Sequence, residues 1–311
     1  RSIINDASPG KGDPDEVHYE LYGNPHAQYV LGLDPARWND NFGLVVLKIE
    51  SGSAKCVYVE SWNKTKFQDS VKKIRAVLRR FPNIVYIAMD KGGGGDTIQE
   101  LLANAKLLKE GERPIIEIEP SDEYVSIPNA IRILEMVNFH TWSAPANHAM
   151  KSDIILKKLL FPSRVDDDFI MHYHAKILKG APFDYDEKED TLLVEQINNL
   201  LYGTEDSNGN ILTLGAWKES LFMIDEICTI IQTVTEKGLE SFGLQKLSDQ
   251  PEGLDIRRRD RYSALLLASY AARQVIGHGH QKSSGFIGGS PDMILKSSKI
   301  NNIQRRGGIV Y

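Results

Sequence analysis

Cysteine is nearly absent from the 311-residue chain: Cys56 and Cys228 are the only two, and they form no metal-like or redox-like pair. A disulfide framework is thereby excluded, and a reducing compartment is expected. No apolar run reaches membrane-spanning length and no signal-peptide pattern occurs, so no membrane association is expected and the chain reads as cytosolic. The string G-x-x-x-x-G-K-S/T is missing, which leaves the chain without a recognisable nucleotide-binding P-loop of its own. No internal repeat stands out. An excess of one charge is also lacking, with 37 basic against 42 acidic side chains and a net charge of −5. That balance argues against a surface that binds nucleic acid everywhere, and leaves room for a local basic groove. The first residue is not methionine, and a fragment of a longer polypeptide is expected.

What is present is a set of strand-like and helix-like runs. Residues 1–27 are rich in Pro, Gly, Asp and Asn and read as an arm or linker. Three strand-like runs follow, Tyr29 to Asp34, Phe42 to Ile49 and Lys55 to Trp62, joined by short loops as in an antiparallel meander. From Phe67 to Phe81, Val71, Ile74, Val77 and Leu78 share one helical face, with Lys72, Lys73, Arg75, Arg79 and Arg80 largely elsewhere, and Pro82 stops the helix. A strand from Ile84 to Asp90, four glycines, a helix from about Thr97 and a strand from Arg113 to Glu119 complete a β-β-β-α-β-α-β order. Such an order suits an α/β fold with a mixed central sheet, in which the crossover helix returns the fourth strand parallel to the first. Beyond it, Asn147 to Leu160 and Ala216 to Lys237 read as helices around a polar insertion, Leu254 to Gly277 reads as a long C-terminal helix, and 278–311 as a basic Gly/Ser-rich tail.

Two of the apolar strands end in an aspartate, Asp34 and Asp90. An ionised carboxylate at the end of a buried strand is costly unless something compensates it, and a divalent cation held between two acids is the simplest compensation. In the last helix Asp260 shares a face with Ala264, Leu267 and Ala271, small and apolar residues that would pack closely on the sheet and carry the acid inward. Three carboxylates around one point can hold two Mg²⁺ or Mn²⁺ ions about 4 Å apart, one activating water and the other stabilising a leaving 3′ oxygen. Gly92, Gly93 and Gly94, after a strand and before a helix, permit a close approach to a phosphate. They equally suit a tight β–α turn with Asp96 as helix N-cap.

The segments YVLGLDPAR (29–37), IVYIAMDKGGGG (84–95) and LDIRRRDRYSALLLASYA (254–271) together resemble the nuclease domain of the large terminase subunit of tailed bacteriophages, a member of the ribonuclease H-like group that includes RuvC-type resolvases. The match spans roughly residues 28–277. The resemblance implies a ribonuclease H-like fold and a metal-dependent endonuclease that cuts double-stranded DNA during genome packaging, with Asp34, Asp90 and Asp260 as catalytic and metal-binding acids. It further implies the portal ring, a small terminase subunit and other large-subunit copies as partners, in the host cytoplasm beside the procapsid. The family's ATPase motor is not part of the match.

Around this core, Asp40 reads as a turn residue with a second role near the metal as the alternative, and Asp255 as a helix cap or auxiliary acid. Arg37 would hold a phosphate or pair with an acid. Arg257, Arg258, Arg259 and Arg261 crowd a helix N-terminus, where cations oppose the dipole, and are expected to contact the DNA backbone. Lys72, Lys73, Arg79 and Arg80 read as a solvated face, and His172 and His174, lacking a further ligand nearby, as no metal site. Trp38 and Trp142 are expected to pack rather than stack on DNA. A junction-resolving nuclease of the same fold and a non-catalytic DNA- and portal-docking module are the competing functions. Comparing cleavage of plain and branched duplex separates the first, and three intact acids disfavour the second.

Overall fold

The computed structural model describes residues 2–9, 13–20, 22–36, 41–162, 215–234, 240–244 and 259–283. Residues 1–275 form one compact unit and 276–311 a second, of which only the last turns of a helix ending at Ser283 are described.

After a short helix α1 (Ser2–Asp6), the meander forms as the hydrophobic pattern requires. Strands β1 (Gln28–Asp34), β2 (Phe42–Glu50) and β3 (Ser53–Trp62) pair antiparallel in sequence order. The β2–β3 link is a two-residue turn with Ser51 and Gly52 both at positive φ, 49° and 81°. That geometry matches the twist of the strands it joins. Helix α2 (Phe67–Arg80) buries Val71, Ile74 and Val77 and closes at Phe81 before Pro82. It delivers β4 (Ile84–Asp90) parallel to β1, with Leu31 opposite Ile87 and Leu33 opposite Met89. The same register carried one step further sets Asp34 beside Asp90. The crossover thus puts the two acids at the C-terminal ends of two adjacent central strands.

Arg80 does not lie on the solvated face expected of it, and Arg75 is buried as well. Arg75 donates to the Leu102 carbonyl at 2.8 Å and Arg80 to the Tyr58 hydroxyl at 2.9 Å, its guanidinium over the Tyr58 ring, and both are buried. The long arginine side chain reaches across the helix flank, so its Cα position does not fix where its charge ends. Lys72 and Lys73 stay exposed or half-exposed, each beside an acid.

After helix α3 (Gly95–Ala103) come β5 (Ile115–Glu117), the short α4 (Asp122–Val125) and β6 (Ile131–Val137). The unexpected β6 inserts between β4 and β5, parallel to both, and sets Val137 opposite Asp90. Helix α5 (Phe139–Ile155) stops earlier than expected, and β7 (Leu159–Leu160) adds to the outer edge of β3. The sheet order is β5-β6-β4-β1-β2-β3-β7. Helix α6 (Gly215–Thr229) likewise ends early. The β-branched stretch that follows forms β8 (Ile231–Val234), paired with β9 (Glu240–Gly243) in a separate hairpin.

Residues 2–9 and 13–20 pack onto the domain. Ile4, Ala7 and Val17 are core residues, the Phe161 N–H donates to the Ala7 carbonyl at 2.9 Å, and the Glu20 N–H donates to that of Val57 at 3.0 Å. Helix α7 (Asp260–Ser283) starts six residues later than the periodicity suggests, and the residues just before Arg259 lie outside those described. Its first turns are buried all round, Leu265 and Leu266 as fully as Ala264, Leu267, Ala268 and Ala271. No helix among the described residues is long and apolar enough to cross a membrane.

Candidate metal centre

Strand alternation puts Asp34 on the same face of β1 as Gly32, and that face receives α7. The fit leaves no room for a side chain: a Cβ on Gly32 would stand 2.1 Å from the Ala264 carbonyl oxygen, and one on Gly43 2.3 Å from the carbonyl oxygen of Asp260. Gly43 is the β2 partner of Asp34. Two glycines therefore let the first turn of α7 lie against the strand ends, and the third acid arrives with it. Asp260 is 5% exposed, and its Oδ2 accepts the Asn41 N–H at 3.1 Å.

The electrostatics of Asp34 report the meeting of the three acids. Its carboxyl is held well above the usual carboxylate range, first by burial, then by the negative charge of Asp260 and that of Asp90, against a hydrogen bond from Ser263 and the nearby Arg259 charge. Part of the side chain stays open to solvent, which moderates the size of the effect and not its direction. Yet among the described residues no group of three or more His, Cys, Asp or Glu stands in a ligand arrangement. The two facts differ in what they measure. Coupling between charges tolerates a change of rotamer, whereas ligand geometry does not. The backbone brings the acids together, while Asp34 leans on Ser263 and Asp260 on the Asn41 N–H.

An all-carboxylate donor set suits hard divalent cations such as Mg²⁺ and Mn²⁺, and the crowding of like charge at Asp34 is what such a cation would relieve. Ser263 was not legible as a site residue, although its spacing of three from Asp260 puts it near the same helix face. Asn41 acts through its backbone and leaves no sequence signal.

The glycine run is a built turn. Gly93 and Gly94 have φ of +61° and +106°, and a Cβ on Gly93 would stand 1.9 Å from the carbonyl oxygen of Pro35, the residue after Asp34. The α3 N-cap is Gly94, and Asp96 lies in the first turn instead of capping it. Gly92 and Gly93 remain exposed beside Asp90. Gly93→Ala is expected to cost about 1–3 kcal/mol through strain and overlap. A denaturant titration checks this, and an unchanged midpoint would show that the β1 and β4 ends are not locked together here.

Arg259 is exposed, acts on Asp34, and points its guanidinium toward β9, where a Cβ on Gly243 would stand 3.9 Å from Nη1. Arg261 is different, and the expectation that it reaches DNA is corrected. It is 8% exposed and its guanidinium is enclosed by α6, with Nε on Glu219 at 2.5 Å and Nη1 on Glu226 at 2.6 Å. Two carboxylates outcompete solvent for a cation that the helix start turns inward. Trp142 packs edge-on against Tyr270 at 5.0 Å between centroids. Arg37, Trp38, Asp40, Asp255, Arg257, Arg258, His172 and His174 lie outside the described residues.

A three-stranded antiparallel meander, a crossover returning the next strand parallel beside the first, and acids at the ends of those two paired strands define a ribonuclease H-like α/β domain. No family model matches the chain, and no curated protein does. Among solved structures it is similar to the magnesium-bound large terminase nuclease of thermophilic phage G20c, with a TM-score of 0.45, 14% identity, and coverage of 82% of this chain and 91% of that one. The nuclease domain of the Thermus phage P74-26 large terminase gives a TM-score of 0.43 and 14% identity, covering 81% and 88%. A mutant large terminase subunit fragment of bacteriophage Sf6 with calcium gives 0.39 and 11%, covering 78% and 89%. The likeness is low in both sequence and superposition, and the fold assignment stands on strand order and register.

Proposed function

We propose that the chain is a divalent-metal-dependent endonuclease that cuts double-stranded DNA during phage genome packaging, with Asp34, Asp90 and Asp260 as the ligands of two ions. The observation that carries this is the convergence of three chain segments: β1 and β4 run parallel in a register that brings Asp34 and Asp90 side by side, and the first turn of α7 lies against Gly43, the β2 partner of Asp34, so closely that a Cβ there would stand 2.3 Å from the Asp260 carbonyl oxygen. Acids so placed favour a bound cation for the same reason that they favour a proton. Mg²⁺ or Mn²⁺ bound there would supply an activated water and stabilisation of the leaving 3′ oxygen.

The chain's own residues supply the rest. Ser263 orients the Asp34 carboxylate, the Asn41 N–H fixes that of Asp260, and the exposed Arg259 offers a cation beside the acids for a DNA phosphate. Gly92 and Gly93 leave the approach beside Asp90 open to a backbone phosphate, and Arg37, Arg257 and Arg258 belong to the same proposed DNA-facing set. The motif resemblance at 29–37, 84–95 and 254–271 supports the packaging context, in which the portal ring, a small terminase subunit and further copies are the partners and the host cytoplasm the location.

Incubation of the chain with plasmid and Mn²⁺ or Mg²⁺ is expected to give cleavage that EDTA abolishes, and binding that weakens steeply between about 50 and 200 mM salt as phosphate contacts are screened. Cutting that persists in EDTA would eliminate metal catalysis. Cutting confined to branched duplex would replace the packaging role with junction resolution.

A further inference from the structure

Beside the acids lies a buried charge cluster that none of the chemistry above uses. On α6, Glu219, Phe222 and Glu226 fall at spacings of three and four and so share one helix face. All three close on Arg261: the two carboxylates pair with its guanidinium, and the Phe222 ring lies 5.1 Å from it. Glu226 does more than neutralise a charge. While its Oε1 takes Arg261 Nη1, its Oε2 accepts the backbone N–H of Tyr262 at 2.9 Å, and the Arg261 backbone N–H also donates to this carboxylate.

The first N–H groups of a helix have no partner within it. In α7 the intrahelical ladder starts with the Ser263 N–H on the Arg259 carbonyl at 2.8 Å, which leaves the N–H groups of Arg261 and Tyr262 to be satisfied from outside. Glu226 thus caps α7 from another helix, where a negative charge also suits the dipole. The residue immediately before this clamp is Asp260.

We propose that Glu226 is a positioning residue for the metal centre: by gripping the backbone and guanidinium of the two residues after Asp260, it sets where the third carboxylate stands relative to Asp34 and Asp90. This rests on the metal-centre reading given under Proposed function. A cluster that served only to hold α7 down would be interchangeable with the other α7 anchor, in which Arg273 pairs with Asp153 and the Ala149 carbonyl of α5 at 2.5 and 2.6 Å. That anchor lies thirteen residues along the helix from Asp260, or about 20 Å at 1.5 Å per residue.

The two anchors are separable by titrating Mn²⁺ into the DNA-free chain by calorimetry, alongside the rise in melting temperature that Mn²⁺ produces. Glu226→Ala is expected to weaken Mn²⁺ binding about tenfold or more, the usual effect of removing a group that orients a ligand. Glu226→Gln keeps one acceptor for the Tyr262 N–H and is expected to lose less than Glu226→Ala while still binding Mn²⁺ more weakly than the wild type. Asp153→Ala is expected to lower the melting temperature and leave Mn²⁺ affinity as in the wild type. Should Glu226→Ala not fold, Glu226→Gln against Asp153→Ala decides the matter alone. Wild-type affinity in the folded Glu226 variants, or an equal loss in Asp153→Ala, would overturn the assignment while leaving the metal centre standing. A wild-type chain that binds no Mn²⁺ would remove both.

Discussion

Asp34→Asn is expected to lower metal-dependent cleavage by about a thousandfold or more, several kcal/mol of lost charge stabilisation, and at the same time to make the metal-free chain more stable at neutral pH. The second half follows from the direction of the Asp34 shift. Burial and the charges of Asp260 and Asp90 raise its affinity for a proton above that of an ordinary aspartate, whose value is 3.8. The native state therefore holds this proton more tightly than the unfolded chain does. Its contribution to stability is fully present below the unfolded value and is lost as the pH rises through the raised native one. At pH 7, above the value of the unfolded side chain, this difference in proton affinity therefore counts against folding, and asparagine, which keeps an acceptor for Ser263, removes the opposition.

The melting temperature should rise by about 2–4 °C for each kcal/mol recovered, and the gap between variant and wild type should narrow as the pH is lowered through the native Asp34 value. Adding Mn²⁺ should reverse the order, because only the wild type gains the stability of a bound ion. Scanning calorimetry at two pH values, with and without Mn²⁺, checks both signs. A variant less stable than the wild type without metal would mean that Asp34 serves the fold and not a cation.

Gly32→Ala should have the largest effect on stability of any one-carbon addition to this sheet. The added Cβ would meet the Ala264 carbonyl oxygen at 2.1 Å and the Ala268 nitrogen at 2.4 Å, both backbone atoms of α7 that cannot rotate away. Relief requires the helix to lift from the strand, which costs about 3 kcal/mol or more. The same movement carries Asp260 away from Asp34, so Mn²⁺ affinity should fall with stability. Gly277→Ala is the contrasting change. It lies on the same helix with nothing within 4 Å of the added carbon, and should be neutral or stabilising by up to about 1 kcal/mol on helix propensity. Urea titration of both variants separates close packing from propensity, and a Gly32→Ala chain as stable as the wild type would refute the helix-on-strand contact.

The meander and the crossover were legible because each is a local consequence of pattern: apolar runs closed by Asp34 and Asp90, short loops between the first three runs, and an apolar helical stripe ended by Pro82. The small residues facing one way on α7 announced a close approach to the sheet, and Gly32 and Gly43 are its other half. The place of β6 was not legible. Strand order depends on which edges remain open after the first strands pair, and nothing within residues 131–137 encodes that. The fate of Arg261 was hidden for a related reason. A run of four arginines around an acid looks uniform in sequence, and only the Glu219, Phe222 and Glu226 face of a distant helix distinguishes one of them. The early ends of α5 and α6 reflect the β-pairing available to Leu159, Leu160 and the stretch after Thr229, which overrode helical periodicity.

The hydrogen bond from Asn41 to Asp260 joins positions 219 residues apart, and its consequence is one of timing. A ribosome must add 219 residues after Asn41 before Asp260 exists, and the first strands have long been able to pair by then. No nascent form possesses the complete centre. Under the proposed function, cutting would wait for α7, which docks on a sheet whose strands were made long before it.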